Sequence, residues 1–146
     1  MNPENQVPGI AHVIQLAVAP VFLLSAVAAT LGVLTNRLAR VVDRARHLEG
    51  LPEHPNPVQQ AHWNADLAIL VRRAKLINLA LTLSTSCALF VSLVVVALFL
   101  QTTVTVPLSR VIAILFIAAM AAFIGALICF LREIYLSTAH LRLGKP

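Results

Sequence analysis

Three apolar stretches, near residues 10–35, 76–100 and 111–131, limit what this chain can fold into. Each holds about 20 residues or more, the length of helix that crosses a hydrocarbon layer of ~30 Å. A helix is also a form whose backbone satisfies itself where no water is present. A water-soluble fold is a poor alternative. The 146 residues are 59% hydrophobic and 12% charged, against about 45–50% apolar and about 25% charged in soluble domains. A domain this small buries only about two-thirds of the surface its unfolded chain exposes. The expected fold is an all-α membrane protein with three transmembrane helices, forming a single membrane domain over residues 1–146.

The segments between the spans refine this picture. The first ten residues carry Glu4 and no Lys or Arg, unlike the positive start of a cleavable signal peptide, so the first span is expected to be retained. Pro20 predicts a kink within it. The stretch NRLARVVDRARHLEG, residues 36–50, continues with Arg37, Arg40, Arg44 and His47 at three- and four-residue spacing, and Leu38, Val41, Val42 and Leu48 between them. That amphipathic pattern predicts an extension of the same helix, stopped at Gly50. Three prolines in LPEHPNP, residues 51–57, mark a turn, with Asn56 as N-cap and Pro57 as first helical residue. An apolar line of Val58, Ala61, Ala65, Ala68 and Ile69 predicts the return helix, running without a breaker into span two. Residues 36–75 thus read as a cytoplasmic helical hairpin. Residues 101–110 read as a short outer loop with Pro107 opening the third helix, and residues 132–146 as a cytoplasmic tail.

Charge sets the expected orientation. Residues 36–75 hold seven Lys and Arg, the tail holds three, and the outer loop has only Arg110. By the positive-inside rule the N-terminus lies outside and the C-terminus in the cytoplasm. The net charge of +5 is therefore a topology signal, and no nucleic-acid partner is expected. Anionic lipid headgroups are the natural partners of these basic flanks. Cys87 and Cys129 lie in apolar runs and read as small hydrophobes, not as a disulfide or metal pair.

Three sets of residues could carry function. On span one His12, Gln15, Ala19, Phe22, Ala26, Thr30 and Val33 share a broad face. They form either a pore lining with Phe22 as constriction or a helix-packing stripe. Arg37, Arg40, Asp43, Arg44, Arg72, Arg73 and Glu133 gather at the helix bases, as an internal ion network or an anion site. Asn78, Thr82 and Thr85 share a face of span two and read as interhelical polar contacts. Small residues at Ala118, Ala122, Ala126 and at Ala121, Gly125, Cys129 predict close packing of span three. His62 and Asp66 stand four apart, but no third metal ligand is well spaced. No catalytic constellation and no cofactor motif is present in the sequence, so no enzyme is expected.

The stretch from Gln15 to Glu49, the ILVRRAKLINLA segment before span two and the FLREI end of span three resemble the bacterial membrane family called domain of unknown function 2721. NRLARVVDRAR is the most specific part, with the pair Arg72 and Arg73 and Glu133 fitting the same pattern. The resemblance implies the architecture and a place in a bacterial inner membrane, and no activity. Polar and small-residue faces together point to a homo-oligomer. Two functions follow as expectations: an ion-conducting pore lined by the first span, or an accessory membrane protein whose hairpin binds a soluble partner or anionic lipid.

Overall fold

A computed structural model of the chain describes residues 7–50, 56–101 and 108–142, with side chains over 10–50, 56–101 and 108–138. Among these residues there are three helices and no strand: α1 (Val7–Glu49), α2 (Pro57–Leu100) and α3 (Ser109–Arg142). Each contains a stretch long and apolar enough to cross a membrane. The chain is a multi-pass membrane protein of three long helices. At about 1.5 Å per residue, the 43 residues of α1 and 44 of α2 make rods of about 65 Å, roughly twice the hydrocarbon thickness.

Local chemistry explains the ends. Gly50 closes α1 with its N–H on the Arg46 carbonyl at 3.0 Å. The Asn56 side-chain oxygen accepts from the Val58 N–H at 3.0 Å, so Asn56 and Pro57 take the cap and first-turn places their types favour. The rest of the expected turn, 51–55, and the expected start of α3 at Pro107 lie outside the described residues. α1 runs through Pro20 as one helix. α3 continues past residue 131 to Arg142, so the first part of the segment expected as a tail is a helical extension of the third span.

Tertiary contacts divide the chain into two compact units. The first draws on α1 as far as Thr30, on α2 from Leu83 and on α3 as far as Ile124. Its core is Val13, Ala17, Val94 and Leu98, with Ile112 and Leu115 packed against it. The second draws on α1 from Leu31, on α2 as far as Thr82 and on α3 from Gly125. Its core is Leu34, Val41, Leu70, Ile77 and Ala80, joined by Leu38, Ala74, Cys129 and Phe130 among others.

The buried positions follow a seven-residue repeat. On α1 they are Val13, Ala17, Pro20, Leu24, Val27, Leu31, Leu34, Leu38, Val41, Ala45 and Leu48, alternately four and three apart and all buried or half-buried. On α3 they are Ile112, Leu115, Ala119, Ala122, Ala126, Cys129 and Glu133. α2 carries two such lines, Leu70–Ile77–Ser84–Val91–Leu98 and Ala80–Cys87–Val94, the wider buried face that a helix needs against two neighbours. This is the repeat of left-handed helix packing, common to coiled coils and membrane bundles.

Of the apolar line that marks the return helix, Val58, Ala61, Ala65 and Ala68 are exposed and Ile69 is half-buried, while α2 also turns inward Trp63, Leu67 and Leu70. Large apolar side chains outvote alanines for the packed face, because they gain more dispersion contact when buried.

Candidate functional site

In the second unit one acidic side chain is fully buried. Glu133 has 0% exposure and occupies a seam position of α3, where every other member is apolar. A carboxylate taken out of water costs several kcal/mol unless it is paired and hydrogen-bonded. Two arginines supply those partners. Arg37 Nη1 on α1 donates to Oε2 at 2.5 Å. Arg73 on α2 donates to Oε1 from Nε at 3.2 Å and from Nη2 at 2.7 Å. One carboxylate thus ties together all three helices of this unit.

Further contacts orient the guanidinium groups. Arg73 Nη2 also donates to the Ser137 hydroxyl at 3.0 Å, one turn along α3 from Glu133. The Arg37 guanidinium lies 5.1 Å from the Phe130 ring centroid, within cation–π range. The arginine side chains are 30% and 22% exposed, so each spans from the buried carboxylate to the surface.

Beside this node the unit opens into a cleft. One lobe, of about 390 Å³, is lined by Arg44, Leu48, Asp66, Ile69, Leu70, Arg73 and Ser137. A second, of about 350 Å³, is lined by Arg37, Arg40, Val41, Arg44, Leu70, Arg73 and Ser137. Four residues are common to both. Arg37, Arg40 and Arg44 reach the cleft because three- and four-residue steps share one helix face.

The expected site residues therefore separate. Arg37, Arg73 and Glu133 are brought together, and Arg40 and Arg44 line the adjoining space. Asp43 and Arg72 are exposed and, among the described residues, make no ion pair. His12, Gln15, Ala19, Phe22, Ala26 and Val33 are all exposed, with Phe22 at 72%. Thr30 is half-buried and its hydroxyl bonds the Ala26 carbonyl of its own helix at 3.0 Å. This stripe is not an interior surface of a single copy. Asn78 is exposed on an α1–α2 groove with Lys75 and Arg46, and no bond of its amide occurs among the described residues. Thr82 donates to the Asn78 carbonyl within α2 at 3.0 Å, and Thr85 is exposed. Among the described residues no three potential ligands cluster for a metal ion.

Ser137 and Phe130 were not legible as parts of this site, whereas Asp66 was legible as one of the charges at the inner surface. Ser137 and Phe130 stand four after and three before Glu133, the spacing that shares its helix face, and that was the available signal.

Fold and site together define a three-helix integral membrane protein tied at one level by a buried carboxylate between two arginines. The chain belongs to the family described as "Protein of unknown function (DUF2721)", whose profile matches residues 17–143. No curated protein and no solved structure matches it.

Proposed function

We propose that this protein is an accessory membrane protein whose second unit engages the anionic headgroup layer of a bacterial inner membrane. One observation carries the reading. Of the 11 Lys and Arg in the chain, the second unit takes in all but Arg110, and it carries a net +5. A basic surface beside apolar spans is held at an anionic leaflet by about 1 kcal/mol per cationic side chain near it. The same asymmetry supports a cytoplasmic hairpin over residues 36–75, an outside N-terminus and a cytoplasmic C-terminus. The exposed line of Val58, Ala61 and Ala65 offers a landing face for a soluble partner.

The test is lipid retention. The full chain in mixed micelles containing phosphatidylcholine and phosphatidylglycerol is expected to keep the anionic lipid preferentially, as read by native mass spectrometry. The preference should weaken as salt rises. Equal retention of the two lipids refutes the reading.

A second reading is a homo-oligomeric pore lined by α1. It is supported by the exposure of His12, Gln15 and Phe22 on one face, polar and aromatic groups that a second copy could cover. Flux through reconstituted liposomes that changes with Phe22→Ala and Gln15→Ala supports it. No flux with any variant sinks it.

A further inference from the structure

We infer that the arginine cleft of the second unit is a specific site for a phosphomonoester dianion. The inference rests on the anionic-surface reading above and deepens it from a diffuse attraction to a built pocket.

Arg37, Arg40, Arg44 and Arg73 contribute four positive charges to the cleft and its wall, against Glu133 behind it and Asp66 on its rim. The balance is +2. Among the described residues neither Arg40 nor Arg44 has an acidic partner within ion-pair distance. A phosphomonoester carries about −1.5 to −2 at neutral pH, whereas a phosphodiester carries only −1. The dianion neutralises the cleft and the diester does not.

Each guanidinium has five N–H donors in a planar fork that matches phosphate oxygens. Glu133 and Ser137 engage Arg73 through Nε and Nη2, which leaves both hydrogens of its Nη1. Arg37 uses Nη1 on Glu133, which leaves Nη2 and Nε. The Ser137 hydroxyl accepts from Arg73 and keeps its own hydrogen to donate. Glu133 is thus a positioning residue. It holds two arginines in fixed orientation before a ligand arrives, which lowers the ordering cost of binding.

Lobes of about 390 and 350 Å³ are in the range of small-ligand pockets. Arg37 and Arg73 stand at the ends of the apolar stretches of α1 and α2, where a lipid headgroup phosphate would lie. The same chemistry could come from phosphatidic acid or from a soluble phosphomonoester, so the test separates the two.

The full chain is reconstituted in phosphatidylcholine nanodiscs doped with equal mole fractions of phosphatidic acid or phosphatidylglycerol. Separate samples receive glycerol 3-phosphate or inorganic phosphate. Binding is read by native mass spectrometry and thermal unfolding. Phosphatidic acid is expected to bind at least about tenfold more tightly than phosphatidylglycerol. Arg44→Gln, an exposed position that disturbs no ion pair, should reduce that preference about tenfold with unchanged unfolding of the ligand-free protein. Ser137→Ala should lower it less. Saturable binding of glycerol 3-phosphate that is lost in Arg44→Gln supports the site with a soluble ligand as its source. Equal binding of the two anionic lipids, with no effect of Arg44→Gln, overturns the inference while leaving the anionic-surface reading intact. No preference for either anionic lipid over phosphatidylcholine, with no phosphomonoester bound, overturns both.

Discussion

Replacing Glu133 by Gln keeps the shape of the side chain and removes its charge. In the native unit the carboxylate accepts three bonds from two guanidinium groups. The amide retains one acceptor oxygen, and its NH₂ must face the N–H donors of one arginine. A hydrogen bond to a charged group is worth about 1.5–3 kcal/mol, and breaking a fully buried ion pair costs about 3–5 kcal/mol. Arg37 and Arg73 are 30% and 22% exposed, so water recovers part of their solvation and the cost falls toward the lower end. We expect Glu133→Gln to lose about 2–3 kcal/mol. Equilibrium unfolding of the full chain by a denaturing detergent in mixed micelles measures this. A cycle with Arg73→Gln and the double variant should show a coupling of about 1–2 kcal/mol between the two sites. A single-variant loss below about 0.5 kcal/mol, or additivity in the cycle, would falsify the claim that the node holds the three helices.

The same unfolding assay checks three further points. Leu34→Ala, at a fully buried seam position of α1, should lose about 2–4 kcal/mol through the cavity it leaves, whereas Phe22→Ala, at 72% exposure, should lose less than about 0.5 kcal/mol from one copy. Ser84→Ala should be neutral or stabilising by up to about 1 kcal/mol, because its buried hydroxyl has no hydrogen-bond partner among the described residues and pays desolvation without return; a marked loss of stability would contradict this. Gly32→Ala meets open space and should gain up to about 1 kcal/mol from helix propensity. If cross-linking instead shows that Gly32→Ala breaks apart an oligomer, the open face of α1 is an interface between copies.

The buried acid also bears on specificity of packing. An apolar residue at position 133 would fill the seam as well, yet it would leave Arg37 and Arg73 without a reason to converge. The carboxylate makes one axial register of three helices better than registers shifted by a turn, the use of buried polar groups best attested in coiled coils. In a bilayer this matters more than in water, because lipid gives apolar seams little preference for one register over another.

The sequence by itself determined the three apolar helices, the stop at Gly50, the cap at Asn56 and Pro57, and the concentration of basic charge beside the spans. These are properties of a single segment meeting a solvent, water or hydrocarbon, and the residues of that segment suffice to decide them. It also placed Arg37, Arg73 and Glu133 in one group, since all three stand where apolar stretches end. Tertiary structure decided which members of the group touch. Glu133 pairs with residues 96 and 60 positions away, while Asp43, close in sequence to several arginines, pairs with none of them among the described residues. It also decided that residues 58–68 show their alanines outward and that Thr30 bonds within its own helix while the pore-lining candidates beside it remain exposed. The choice rests on how the heptad seams of neighbouring helices bring side chains level with one another. That level is a relation between helices, and no single helix's pattern contains it.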